Sequence, residues 1–468
     1  MDEPQWRTYC LRCPLRRTAS GPLAMTRRTK VTTHAASMPQ SSSRPSWMPP
    51  LGRGLVYSLA LAGMIGLAGC GSDDDDPPPA PPGPPANTYP HAKEPIGTVR
   101  EMYDGTLTPD LAVNTFRNID RLFPTRSIAP AATPRPLPKA AKQLPAIKFT
   151  AGAKTYDIYD YLALNRVSGL LVLKNGEIAY ETYQYGNTEK TRWMSMSVAK
   201  SITSTLIGVA IQDGLIGSVN DQVVKYVPKL AGSAYDGATV RDVLMMSSGV
   251  KWDETYTNPA SDRRALLEAQ IGQKPGTALE LMSKLPRAAA PGSTFNYSTG
   301  ETQIAGELLH GAIKKPLAHY LSEKIWSKFG MEAEANWWLD SPDGIEIGGS
   351  GLSATLRDWG RFGLFFMNNG VIDGKSILPN NWVADAGSGK TLSGGDPLPY
   401  YGYMWWVNTD GQSAIDKAFY ATGIFGQNIY INQKEKVVIV TWGAQSKPTG
   451  AGVVNNTAFF DAVVKALQ

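Results

Sequence analysis

From Ser197 onward the apolar residues fall at helical spacing. Ile202, Leu206, Val209 and Ala210 share one stripe, and other apolar side chains fill much of the remaining girth. The pattern predicts a helix over 197–213, closed by Gly214 and with too little polar face to sit at a surface. Ahead of it the period shortens. Gly169 to Leu173 and Ile178 to Tyr183 are β-prone runs flanking Asn175-Gly176, the strongest short signal for a hairpin. Asn428 to Ile431 and Val437 to Trp442 predict two further strands, and Asn456-Thr457 predicts the cap of a last helix through Leu467. The stretch from about 220 to 400 reads mostly as helix and loop. Together these elements predict an α/β (α+β) fold: one antiparallel sheet built from N- and C-terminal segments, flanked by helices, with an inserted, mainly helical lobe.

The front of the chain follows a different pattern. Leu55 to Leu67 is an apolar run behind Arg53, too short to span a bilayer comfortably and sized like the core of a secretory leader. Leu67-Ala68-Gly69-Cys70 follows, and it resembles a bacterial lipoprotein lipobox. That resemblance implies acylation of Cys70 and a lipid anchor in the bacterial cell envelope, periplasmic or at the outer membrane. A plain signal peptide with an incidental cysteine is the alternative. Asp73 to Asp76 and the prolines of Pro77 to Pro85 compose a stiff, solvated tether. The expected organisation is a leader over 1–70, a tether over 71–95, a proline-rich extension over 96–150 that wraps the next part, and a catalytic domain over 151–468.

Charge and composition narrow the chemistry. Nine Lys or Arg against two acids give residues 1–70 a charge of +7; the chain carries +5, so the rest carries −2. The basic balance therefore belongs to the leader, and the remainder offers no electrostatic footprint for nucleic acid. The cysteines are Cys10, Cys13 and Cys70 alone, so the expected domain has no disulfide, thiol nucleophile or thiolate metal site. Of the histidines, His34 and His91 fall in the leader and the proline-rich linker, leaving His310 and His319. A three-histidine zinc centre is disfavoured, and no metal or cofactor is expected. No Gly-x-Ser-x-Gly elbow occurs, which weakens the case for an α/β-hydrolase triad built on His310 or His319.

What remains is Ser197-Val198-Ala199-Lys200. A serine and a lysine three apart share a helix face, so the amine can take a proton from the hydroxyl. At a helix start the partial positive charge favours a developing alkoxide. A lysine one turn inside a buried helix should have a depressed pKa; a fall of about 3 units would make it a base near neutrality. Ser248-Gly249-Val250-Lys251 matches the same spacing, but it precedes no apolar helix. Two further pieces stand out. Tyr297-Ser298-Thr299 precedes another apolar helix (Ile304, Leu308, Leu309). Ala421-Thr422-Gly423-Ile424 reads as a small-residue turn before a β-prone run.

In this order the three pieces resemble the serine β-lactamase and penicillin-binding superfamily, specifically its class C-like branch. The resemblance spans about 155–465. Leu244 to Gly249, Gly351 to Thr355 and Gly402 to Trp406 look familial as well, which makes Ser248 part of a structural loop. The resemblance implies Ser197 as acylated nucleophile, Lys200 as its proton partner and Tyr297 as proton shuttle. It also implies an oxyanion hole from the Ser197 and Ile424 N–H groups. Two departures matter. Thr299 stands where many members carry asparagine, and Ala421 replaces the lysine of Lys-Thr-Gly; Lys390-Thr391-Leu392 lacks the glycine. Ile424 to Gln427 and Trp252 to Tyr256 look more like 6-aminohexanoate-dimer hydrolase and esterase members. Tyr256 would then face the substrate, or else cover a loop. The expected function is hydrolysis of a small-molecule amide or ester. The alternatives are a β-lactamase or D-amino-acid peptidase acting on cell-wall-like substrates, and a non-catalytic envelope-binding lipoprotein.

Overall fold

The computed structural model describes residues 89–468; the leader, Cys70 and the tether up to residue 88 lie outside the described residues. The described chain opens with α1 (Val99–Asp104), α2 (Pro109–Phe116) and β1 (Thr125–Ile128). The Asn-Gly hairpin follows as β2 (Val167–Lys174) and β3 (Glu177–Tyr183), then β4 (Arg192–Met194) and the buried helix α3 (Val198–Gln212). The middle holds α4 (Asp262–Ile271), α5 (Thr299–Ile313), β5 (Ala335–Trp338), β6 (Leu352–Thr355) and α6 (Leu356–Met367). The chain then forms β7 (Trp406–Val407), β8 (Phe419–Gly423), β9 (Gln427–Asn432), β10 (Val437–Gly443) and α7 (Asn456–Ala466), with shorter elements between.

The main sheet is antiparallel, in the order β7-β8-β9-β10-β2-β3. The early hairpin therefore joins the late strands, with Leu171 opposite Val440. Its strands are almost uninterruptedly apolar because both faces are covered. Leu171, Leu173, Val438 and Val440 point into one core with α3 and α6. Leu170, Val172, Val437 and Ile439 point into another, with α7 and the helix over Ile158–Leu164. Every residue of α3 from Val198 to Ala210 is buried, as its apolar girth requires.

Four expectations change. The middle is not only helix and loop: β1, β5, β6 and β4 form a second antiparallel sheet. Ala421-Thr422-Gly423 is not a turn but the end of β8, and the turn is Ile424-Phe425-Gly426, with Phe425 and Gly426 at positive φ. The cap of α7 is Asn455, whose side chain accepts the Ala458 N–H. His91 is not in a linker but buried against Thr191 and Glu94, at 3.1 and 3.0 Å. Residues 89–95 are tied down by Tyr89, His91 and Glu94: the Tyr89 hydroxyl donates to the Arg117 carbonyl, and Glu94 pairs with the Arg117 guanidinium at 2.7 Å.

Residues 96–150 are woven into the fold. Met102, Tyr103, Phe116 and Ile128 are buried in the core of the α3 side. Farther along, the proline-rich segment lies beside β3: the Ile178 N–H donates to Pro138 O, and the Ala140 N–H donates to Ile178 O.

Candidate active site

Ser197 is the residue just ahead of α3, and its hydroxyl does not cap the helix. It is free for Lys200, one turn on. The Lys200 Nζ lies 2.9 Å from Ser197 Oγ, 3.0 Å from Thr299 Oγ1 and 3.0 Å from the Gly349 carbonyl. Thr299 gives its own hydroxyl hydrogen to Glu254 Oε1, at 2.5 Å, so it can only accept from the lysine. A neutral amine has two hydrogens and one lone pair. Thr299 Oγ1 and Gly349 O take the hydrogens, and the lone pair is left facing the Ser197 hydroxyl.

The charge state suits that geometry. Lys200 is only 2% exposed, and burial brings its pKa down to about 7. The Glu254 carboxylate opposes the fall and the Arg263 guanidinium adds to it. Tyr297 lies just before α5, whose cap is Ser298. Its ring centre is 5.3 Å from Lys200 Nζ and 5.5 Å from the Trp406 ring. Burial, helped by Glu254, pushes the phenol pKa up; a hydrogen bond with Ser197 and the Arg263 charge act the other way. Tyr297 is therefore a neutral phenol near pH 7, able to relay a proton but not to hold a phenolate.

The opposite wall is β8. A Cβ on Gly423 would come within 2.6 Å of Ser195 O and 3.0 Å of Ser197 N, so only glycine lets β8 approach the start of α3 this closely. The Ser197 and Ile424 N–H groups, at the two sides of this contact, donate to no acceptor among the described residues. Two non-glycine residues in left-handed backbone flank them: Met196 at φ 43° and Phe425 at φ 66°. Such positions cost of order 1–3 kcal/mol each and cluster where function needs an unusual backbone direction.

The other candidates separate cleanly. Tyr256 is half-buried, its ring 6.3 Å from that of Tyr103. Ser248 is buried and bonded to Glu301, while Lys251 is exposed, so that second Ser-x-x-Lys forms no pair. Lys390 pairs with Asp385 on a two-residue strand, and Ala421 is buried without charge. His310 and His319 are both exposed. Sequence reasoning missed Glu254 and Gly349. Glu254 accepts from the Thr299 N–H at 2.8 Å, from the Thr299 hydroxyl and from the Trp252 indole. No spacing rule links it to a helix start 45 residues away.

The family model described as Beta-lactamase matches residues 164–463. The chain belongs to the beta-lactamase family. Like other members of that family it is a serine hydrolase. It is 27% identical over 352 residues to the 6-aminohexanoate-dimer hydrolase of Paenarthrobacter ureafaciens, covering 71% of this chain and 85% of the relative. It is 24% identical over 168 residues to a beta-lactamase of Pseudomonas fluorescens, covering 34% and 43%. Its fold is similar to the structure named "Putative 6-aminohexanoate-dimer hydrolase from Bacillus anthracis", with a TM-score of 0.67 and 24% identity over 75% of this chain and 92% of that one. This beta-lactamase-family chain thus has the family's fold, and its Ser-Lys-Tyr cluster lies where the main sheet meets the helical lobe.

Proposed function

We propose that the protein cleaves small amide or ester bonds through an acyl-enzyme on Ser197, in the manner of the 6-aminohexanoate-dimer hydrolases it is similar to. The observation that carries this reading is the buried Lys200 amine, its pKa lowered to about 7, 2.9 Å from Ser197 Oγ, with Thr299 Oγ1 and Gly349 O placed to take its hydrogens once it is deprotonated. Ser197 Oγ attacks the substrate carbonyl while its proton passes to Lys200. The oxyanion settles between the N–H groups of Ser197 and Ile424. Lys200 returns the proton through Tyr297 to the leaving nitrogen or oxygen, and the bond to the carbonyl carbon breaks. Water then enters by the reverse path and releases the acid. Each step transfers one proton, and none changes an oxidation state.

Ser197→Ala should abolish labelling by a fluorophosphonate probe, and persistent labelling rejects Ser197 as nucleophile. A panel of 4-nitrophenyl esters, aminohexanoate oligomers, D-alanyl peptides and a cephalosporin assigns the bond type. The absence of the third-motif lysine at Ala421 favours the first two. The lipobox-like run before Cys70 supports an envelope lipoprotein. Cys70→Ser should move the protein from the membrane to the soluble fraction, and unchanged membrane association removes the anchor from the reading.

A further inference from the structure

Four arginines are buried among the described residues: Arg117, Arg263, Arg264 and Arg361. Three of them have a carboxylate. Arg117 holds Glu94, Arg264 holds Asp104, and Arg361 holds Asp358 and Glu332. Arg263, at 3% exposure, has none. Its Nε has no partner, and its one side-chain hydrogen bond goes to the Tyr103 hydroxyl, over whose ring the guanidinium stacks at 4.5 Å. A guanidinium carries five N–H donors in a fork shaped for a carboxylate. A buried cation with no anion is costly, so its retention needs a reason.

Its position supplies one. Arg263 is the second residue of α4, and its backbone N–H donates to the Asp253 carbonyl, next to Glu254. Tyr103, on which it rests, has its ring 6.3 Å from that of Tyr256, and Arg264 bonds the Tyr256 carbonyl at 3.2 Å. The Arg263 charge is felt at Lys200, Tyr297 and Tyr256. Glu254 makes no hydrogen bond or ion pair with it; that carboxylate accepts from Thr299 and Trp252 instead. Ala421, on β8, brings no cation. We propose that Arg263, backed by Tyr103, binds a carboxylate on the substrate, so that the preferred amides and esters bear an acid group remote from the scissile bond.

This rests on the hydrolase reading for the place of the cleft, and the test keeps the two apart. The full chain is assayed on a matched pair, 4-nitrophenyl hydrogen adipate and methyl 4-nitrophenyl adipate, at about pH 9, above the Lys200 limb. The native protein should prefer the acid ester through KM. Arg263→Gln should erase that preference by about tenfold or more, chiefly in KM, and Arg263→Lys should restore part of it. Equal turnover of the pair by the native protein, or equal losses on both esters, overturns the proposal. Calorimetry on the Ser197→Ala chain gives an answer independent of turnover. Hexanoate should bind and hexanamide should not, and the Arg263→Gln change should remove the difference; equal binding of the two ligands rejects the carboxylate site. If neither ester is turned over, the hydrolase reading fails while the calorimetry still decides Arg263. If Arg263→Gln does not fold, the native protein and Arg263→Lys decide it.

Discussion

At the scale of single residues, the proposed mechanism makes the pKa of Lys200 set the pH range in which the enzyme works. The base must be a free amine, so kcat/KM should fall about tenfold per pH unit below about 7, where Lys200 takes up a proton. Two neighbours set that limb with opposite signs. Glu254→Gln removes an anion that holds the pKa up, so the limb should move to lower pH. Arg263→Gln removes a cation that holds it down, so the limb should move to higher pH. Shifts in the same direction would reject this electrostatic account. The Ser197–Lys200 pair was legible in the sequence because both residues ride on one helix, where spacing alone fixes proximity. Tyr297 was reached through resemblance. Glu254 was not legible, since it reaches from a loop to Thr299 at the start of α5, a meeting that no local period describes.

At the scale of elements, the proposed oxyanion pair depends on the close approach of β8 to the start of α3. Gly423→Ala places a methyl against Ser195 O and Ser197 N. It should lower kcat by about 10²- to 10³-fold, the usual effect of losing an oxyanion donor. The far-UV circular dichroism should stay the same; full activity in a folded Gly423→Ala protein would show that the approach is not needed. The long elements were legible because their periods are strong. The hairpin at Asn175-Gly176, the apolar girth of α3 and the strands β9 and β10 all declare themselves. The second sheet did not, because β1, β4, β5 and β6 are three or four residues long and come from distant parts of the chain. The end of β8 looked like a turn because Ala, Thr and Gly are small; its pairing with β9 overrides that local preference.

At the scale of the whole molecule, the N-terminal extension works as a wall of the catalytic unit. Phe116 from α2 sits 4.8 Å from Phe425, the residue after Ile424, and 5.9 Å from Trp193, ring centre to ring centre. Phe116→Ala should destabilise the protein by about 3–5 kcal/mol, read from the urea midpoint. It should also lower kcat below the unfolding range by loosening the Ile424 turn; unaltered kcat would separate the extension from catalysis. The same extension has a second use at the far border of the main sheet. An uncovered β3 would present a row of donors and acceptors to another copy of the chain. Pro138 and Ala140 already occupy that row around Ile178, and Pro136 and Pro138 have no N–H with which to recruit the next strand. Growth by edge-to-edge stacking therefore stops at residue 138.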